Sequence, residues 1–506
     1  MRTLAITSPK RHQLNAELFA VSVCGCFLVL VAGAAAASGY GVLVAGATVG
    51  LTLCATATVV YSRDPVLVLI WLWLFEVFNV PISAAVGYGS PAGEAVRQGN
   101  EVFVLLFVGL TVLRTMRTKT RLPPLRFILP GLGVALFGVL GAVLHNVPIT
   151  VVALGGWLGL KLWLMIGITL LLPWKPRDAT RVYSVLTKVG VVVAILGFVD
   201  YLTHGALSRA LHTSIALTGT DAGRAEAVHS IFAHPGEYSL FMSLLFAFAF
   251  TRFAVKRGRS DLILALLFAG SVMLSLRLKG FLSLAAVAVI VALVQAAVNN
   301  RGAITILLVG SLLVIAGYSL EGNVIAHQVA HYTSSSETSA RRLLYSGGER
   351  MANDNFPLGV GFGRFASYPS RLYYSPVYAQ YELSSYYGLS RSFPNFIDDT
   401  SWPSVVGETG WGGLIIYLIG IIFLILAVIG RLRGPTGNVE FMPLAALCAI
   451  AVLLVDSLGD PTLFNWLATT TFAMIVGPAL IATGDQLGSE GSSSAEQAPD
   501  TASRGL

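Results

Sequence analysis

A chain of 506 residues that is 55% hydrophobic, 12% charged and has a mean hydropathy of +0.74 lacks the polar surface of a water-soluble domain, where about a quarter of residues are charged. Its formal charge of +7 comes from short basic clusters between apolar runs, the pattern that orients membrane helices, which argues against nucleic acid as a partner. Strict two-residue alternation, the mark of an outer-membrane barrel, is absent, so the expected class is an all-α polytopic membrane protein.

Residues 1–16, with Arg2, Lys10 and Arg11, read as a cytoplasmic N-terminus. The first apolar run, Glu17–Ala37, is followed so soon by a second that it reads as a retained anchor rather than a cleaved signal. Crossing a hydrocarbon core of about 30 Å takes about 20 residues of helix. Hydropathy at that window gives about fourteen spans, starting near residues 17, 41, 65, 96, 127, 148, 182, 235, 260, 280, 302, 404, 440 and 462. With the N-terminus inside, the cytoplasmic connections hold Arg63, then Arg114, Arg117, Lys119 and Arg121, then Lys175, Arg177 and Arg181. Further along they hold Lys256, Arg257 and Arg259, then Arg301, then Arg431 and Arg433, whereas the short outward connections Ser38–Tyr40 and His145–Pro148 carry no Lys or Arg. Both termini are therefore expected inside, with a membrane domain over residues 17–483 and a Ser-rich, disordered cytoplasmic tail over 484–506. Cys24, Cys26, Cys54 and Cys448 all lie in apolar segments and read as small buried hydrophobes, and no spacing suggests a metal site.

Two outward loops break the pattern of short connections, one from about residue 204 to 234 and one over residues 321–402. The second is far longer than a usual helix connection. Its Tyr-rich stretch, with Tyr368, Tyr373, Tyr374, Tyr378, Tyr381, Tyr386 and Tyr387, reads either as a segment lying at the membrane interface or as a set of faces for sugar stacking. The same loop carries Arg341, Arg342, Arg350, Arg364, Arg371 and Arg391 beside Glu337, Glu349, Asp354, Glu382, Asp398 and Asp399. Arginine forks suit phosphate and carboxylate, so these residues serve either ion pairing within the loop or a clamp for an anionic substrate at the membrane surface. Glu76, Lys161 and Asp200 fall inside apolar runs, where a charge costs about 2.5–3.5 kcal/mol on insertion scales. Arg277 and Lys279 sit at an outward turn, as headgroup contacts or as contacts to a lipid diphosphate, and His229 and His234, of a type that titrates near neutral pH, read first as structural residues.

Three local patterns stand in order on the outward side. The first is Gly223-Arg224-Ala225, followed by Ser230-Ile231-Phe232-Ala233-His234-Pro235 leading into a span. The second is Ser339-Ala340-Arg341-Arg342, followed by Asn355-Phe356-Pro357-Leu358-Gly359-Val360-Gly361-Phe362-Gly363-Arg364-Phe365. Its glycines read as a tight turn and not as a dinucleotide fingerprint, since no strand precedes them. The third is Asp399-Thr400 and, after nine residues, Gly410-Trp411-Gly412-Gly413.

Together, over residues 221–414, these patterns resemble the O-antigen polymerase and O-antigen ligase superfamily of bacterial envelope glycosyltransferases. Arg224 and Ser230–Pro235 match that family's arginine and span-start motif, although Gly236 replaces the usual Asn. Arg341 or Arg342 matches the second arginine, and Asp399 stands where ligases carry His, which resembles the polymerase branch. The resemblance implies a GT-C-like membrane glycosyltransferase in the inner membrane, with its active site in the large periplasmic loop. It implies transfer of a saccharide from undecaprenyl diphosphate to a sugar hydroxyl, with the lipid-linked sugar as substrate, no cofactor or metal, and a flippase and a chain-length regulator as partners beside the membrane lipids. The expected catalytic residues are Arg224, Arg341 and Arg342 on the departing diphosphate and Asp399 as base or as orienter of the acceptor. Arg277, Lys279, Arg364, Asp398 and His234 are expected to bind substrate. For Asp399 the competing reading is a carboxylate placed before Pro403 by the helix dipole. A ligase acting on a lipid or protein acceptor is the nearest alternative, and a transporter of lipid-linked sugar is the alternative of another class.

Overall fold

The computed structural model describes residues 57–87, 90–118, 123–211, 227–298, 340–434 and 439–481. Among them there is no strand, and the regular elements are all helices. The chain divides into two compact units, residues 1–119 and 120–506.

In the first unit α1 (Pro65–Gly87) packs against α2 (Pro91–Thr118). The Tyr61 ring meets Phe107 edge-on with centroids 5.8 Å apart, and its hydroxyl donates to Thr111 Oγ1 at 2.9 Å. The buried Glu76 accepts a hydrogen bond from Asn100 Nδ2 at 3.4 Å. A polar partner on the facing helix is how a carboxyl group is accommodated within a membrane bundle.

The second unit contains α3 (Leu125–Leu144), α4 (Ile149–Gly159), α5 (Lys161–Leu171), α6 (Pro176–Leu202), the short α7 (Ala206–Ala210), α8 (Pro235–Lys256), α9 (Arg259–Leu274) and α10 (Leu278–Val298). It continues with α11 (Ala340–Asp354), the short α12 (Tyr368–Leu372) and α13 (Val377–Gln380), then α14 (Trp402–Ile429), α15 (Phe441–Ser457) and α16 (Trp466–Ile481). Among the described residues seven helices are long and apolar enough to cross a membrane: α1, α2 from Gly99, α3, α6, α8, α10 and α14. α4 and α5, bent by 56°, make an eighth if the pair is one span. A helix occupies each expected span within the described residues, but those near 260, 440 and 462 are short, with 16, 17 and 16 residues. The expected spans near 17, 41 and 302, and the tail over 484–506, lie outside the described residues.

The burial pattern is that of a membrane-embedded bundle. On α3 the exposed Leu125, Leu129, Leu132, Leu136, Val139 and Val143 recur every three or four residues, an apolar stripe turned outward. By contrast α8, which packs against α9, α10, α15, α16 and α6, is buried on nearly every face. A helix apolar all round belongs in such an interior position. Cys448 of α15 is buried there as the sequence suggests; the other three cysteines lie outside the described residues.

The intramembrane charges of this unit are also answered locally. Lys161, at the α4–α5 bend, places Nζ 4.4 Å from the centroid of the Trp466 ring, a cation–π contact that gains from burial. Asp200 accepts from Ser208 N at 3.0 Å and from Ser208 Oγ at 2.5 Å, fixing α7 beneath the end of α6. Basic residues gather at one end of the bundle. Arg252 lies 3.7 Å from the Tyr183 ring and 3.5 Å from Asp261, Lys256 approaches Phe441, and Arg126 and Arg431 are within electrostatic range of each other. α8, α10, α14 and α16 all begin at the opposite end, where α9 and α15 finish.

Candidate functional site

The sequence around each helix start explains why those ends are well defined. His234 is extended (φ −139°, ψ 140°) and its Nδ1 accepts from Gly236 N at 3.0 Å, while Pro235 supplies the fixed φ of a first helical residue. α14 is opened by Ser401, with Pro403 in its first turn. Ser401 Oγ donates to the Asp460 carbonyl at 2.9 Å and accepts from Leu463 N at 3.3 Å. Trp402 Nε1 donates to Ser457 Oγ at 2.9 Å, so the start of α14 is tied to the end of α15.

An ionic cluster forms where these ends meet. Lys279, in the first turn of α10, binds Asp456 Oδ1 at 3.0 Å and makes a second, shorter contact to Asp460 Oδ2. Thr462 Oγ1 donates to Asp456 Oδ2 at 2.5 Å. Arg341, in the first turn of α11, donates through Nη2 to Asp399 Oδ2 at 2.8 Å, with both side chains about one-third exposed. Arg277 Nη2 stands 3.3 Å from His234 Nε2. Asp460 links the parts, since it lies in electrostatic range of His234, of Asp399 and of Lys279. Gly236 is packed into the centre, where an added Cβ would stand 2.5 Å from Asp460 Oδ2 and 3.1 Å from Lys279 Nζ.

The cluster contains three cations (Arg277, Lys279, Arg341) and three carboxylates (Asp399, Asp456, Asp460), with His234 as a neutral member. Burial, and then the Arg277 guanidinium, push the His234 imidazole down to about 3. The side chain is nonetheless exposed to solvent, which moderates the downward shift. Since Nδ1 accepts from Gly236, the ring proton is assigned to Nε2, and Nε2–H and Arg277 present donors side by side. Desolvation pushes the Asp399 carboxyl above its ordinary range, opposed by Arg341. Asp399 does not hold the N-cap of α14, which is Ser401, and its carboxylate pairs with Arg341 just before that helix start.

The long loop folds on its own core. Leu344, Met351, Val360, Phe365, Val377, Tyr378, Tyr381, Leu383, Leu389 and Ile397 form one buried cluster, with Tyr378 stacked on both Phe365 and Tyr374. Tyr378 and Tyr381 are thus core residues, which corrects both readings of the Tyr-rich stretch for these two side chains. Tyr368, Tyr373, Tyr386 and Tyr387 remain exposed. The Gly-rich segment is likewise more than a turn. It lies against a break in α14, with Val360 N donating to the Gly407 carbonyl at 2.9 Å, Gly361 N to the Glu408 carbonyl at 3.0 Å, and Gly412 N to the Pro357 carbonyl at 3.0 Å. The break is at Gly410 (φ 69°, ψ −173°), where a Cβ would fall 2.3 Å from the Leu358 carbonyl carbon. The buried Glu408 clasps the segment's far end, accepting from Phe365 N at 3.1 Å and from Ser367 Oγ at 2.6 Å.

Of the residues expected at the site, the structure brings together His234, Arg277, Lys279, Arg341 and Asp399. Lys279 is held by two carboxylates, not turned to headgroups. Asp398 is adjacent but paired elsewhere, to Arg371 at 3.1 Å. Arg364 is set apart, within range of His145 and Tyr381. Arg342 is exposed on α11. Arg224 lies outside the described residues. Asp456, Asp460 and Glu408 were missed by sequence reasoning. Ser457-Leu458-Gly459-Asp460-Pro461 between two apolar runs was the available signal for the first two, and the acid at Glu408 within an apolar helix was the signal for the third. No protein-family model matches the chain, and no curated protein matches it.

Proposed function

We propose that this chain is an inner-membrane polysaccharide polymerase of GT-C-like architecture, with both termini cytoplasmic and its site on the periplasmic face. It moves a saccharide from undecaprenyl diphosphate to a sugar hydroxyl. The observation that carries the reading is the meeting of Arg277, Lys279, His234, Arg341 and Asp399 at one end of an apolar bundle. Four helices, α8, α10, α14 and α16, start there, and helix starts favour anions through their free N–H groups and dipoles.

In the transfer, the acceptor oxygen attacks the anomeric carbon, the bond from that carbon to the diphosphate oxygen breaks, and the electron pair leaves with the diphosphate. Arg277, His234 and the Arg341 guanidinium stabilise the growing charge on that leaving group. Lys279 is committed to Asp456 and Asp460 and fixes the helix ends instead. The hydroxyl proton passes to the Asp399 carboxylate and then to water. A raised carboxyl pKa makes Asp399 a better base than a free aspartate, and a good leaving group lets a modest base suffice.

The reading is tested with purified full chain in proteoliposomes given only a lipid-linked repeat unit. Lengthening products together with released undecaprenyl diphosphate are the expected outcome. Product only after a second acceptor is added assigns a ligase, and sugar exchange across the bilayer without bond formation assigns a transporter. Orientation is read separately from Tyr387→Cys, at an exposed loop position. Labelling by an impermeant maleimide from outside the inner membrane is expected, and labelling only after permeabilisation overturns the periplasmic placement.

A further inference from the structure

Beside the ionic cluster lies a cavity of about 160 Å³, more than ten times the roughly 10–15 Å³ that admits a single water by the same measure. Asp398, Glu408, Ser404 and Asn465 supply its polar wall, and Tyr368 and Phe464 supply aromatic surface. It shares walls with the cluster at two points one peptide apart, since Asp398 lines the cavity next to Asp399 of the cluster, and Pro461 lines it next to Asp460. Asn465 joins them a third time, donating to Glu237 at 3.1 Å in the first turn of the helix that His234 caps.

We infer that this cavity binds one ring of the acceptor saccharide, and that it takes an uncharged or amino-bearing sugar and rejects an acidic one. The word acceptor rests on the transferase reading above; the choice of sugar rests on the lining alone. Among the described residues no Lys or Arg lines the cavity, and the two carboxyl groups there offer hydrogen-bond acceptors that suit hydroxyl or ammonium groups. Glu408 is taken up by the loop, where Phe365 N and Ser367 Oγ donate to Oε1 and the Gly363 and Arg364 N–H groups also reach it, so Asp398, Ser404 and Asn465 are the polar lining groups left to meet a sugar. Arg371 neutralises part of the Asp398 charge, but a uronate carboxylate would still meet two carboxyl side chains and no cation among the lining residues. The aromatic rings suit the apolar C–H face of a pyranose, and the size suits one ring rather than a polymer. A hydroxyl of that ring would leave the cavity toward Asp399.

The test uses the detergent-solubilised full chain and saturation-transfer NMR with free glucose, galactose, mannose, N-acetylglucosamine, glucosamine and glucuronate. At least one neutral or amino sugar should receive saturation and glucuronate should not. Ser404→Phe, which fills the cavity, should weaken that binding by about tenfold, the scale of one or two lost hydrogen bonds. Tyr368→Ala, at a position exposed on one side, gives a second reading if Ser404→Phe folds poorly, and should weaken binding in the same direction. No saturation of any sugar, equal saturation of glucuronate, or binding indifferent to both substitutions overturns the inference. Release of undecaprenyl diphosphate from lipid-linked saccharide, followed in wild-type chain from the same preparation, reports on the transferase reading separately. Sugar binding without that release leaves the cavity a sugar site and removes the transferase; release without sugar binding does the reverse.

Discussion

Arg341→Ala removes one half of a pair whose geometry separates a structural contribution from a chemical one. The Arg341–Asp399 contact is 2.8 Å long, but each side chain keeps about a third of its surface open. Pairs of that exposure contribute about 0.2–1 kcal/mol to stability, too little to unfold a bundle held by apolar packing. If the guanidinium also meets a departing diphosphate, its loss should slow transfer by about 10²–10³, or about 2.7–4 kcal/mol of transition-state stabilisation. The two magnitudes do not overlap. Initial rates of lipid-linked saccharide consumption in proteoliposomes give the second quantity, and the melting temperature of the same preparation gives the first. Arg341→Lys keeps the charge but loses the planar fork, and should recover only part of the rate. Arg341→Ala with a normal melting temperature and a rate within a few-fold of wild type would refute the assignment. So would a rate loss that tracks the loss of folded protein.

Four further outcomes follow from the geometry. Lys279→Met strips the ammonium from Asp456 and Asp460, and breaking a buried pair from one side costs about 3–5 kcal/mol. Membrane abundance and melting temperature should fall, with partial recovery in Lys279→Met/Asp456→Asn. Because Asp399 must be ionised to accept a proton and desolvation raises its pKa, activity should fall with acidification at a higher pH than an ordinary carboxylate gives; Asp399→Asn should lower the rate and abolish that acid limb. His234 is neutral at neutral pH, so the rate profile should show no inflection that disappears in His234→Gln between about pH 6 and 7, the range of a free imidazole. Gly410→Ala forces a side chain into a backbone region essentially reserved for glycine, costing about 1–3 kcal/mol before any overlap with Leu358. Limited proteolysis should then cut the Gly-rich segment faster than in wild type.

Several features were legible in the sequence because they follow from local chemistry. The apolar runs forced helices wherever the described residues reach them, and the His234-Pro235 pair announced a helix start that the structure realises. Arg341 and Asp399 were singled out as arginine fork and carboxylate, though nothing in the chain order showed that 58 residues of separation close to a 2.8 Å contact. Other features were hidden for the same reason. Two tyrosines that resemble a surface stretch turn out to be the core of a loop, because amphipathic residues join whichever apolar cluster the fold assembles. The glycines of the 359–363 stretch read as a turn, since sequence cannot reveal that a helix breaks opposite them.

The sequence by itself settled the solvent: a chain with so few charges and such long apolar runs has to bury its backbone hydrogen bonds in helices within a bilayer. Only the tertiary structure decided which charges share a neighbourhood. It committed Lys279 to Asp456 and Asp460, brought Asp399 to Arg341, moved Arg364 away to His145, and opened a cavity next to Asp398. The physical reason is range. Hydropathy acts through each residue's own contact with solvent, whereas ion pairs and cavities depend on distances of a few ångströms between segments far apart in the chain.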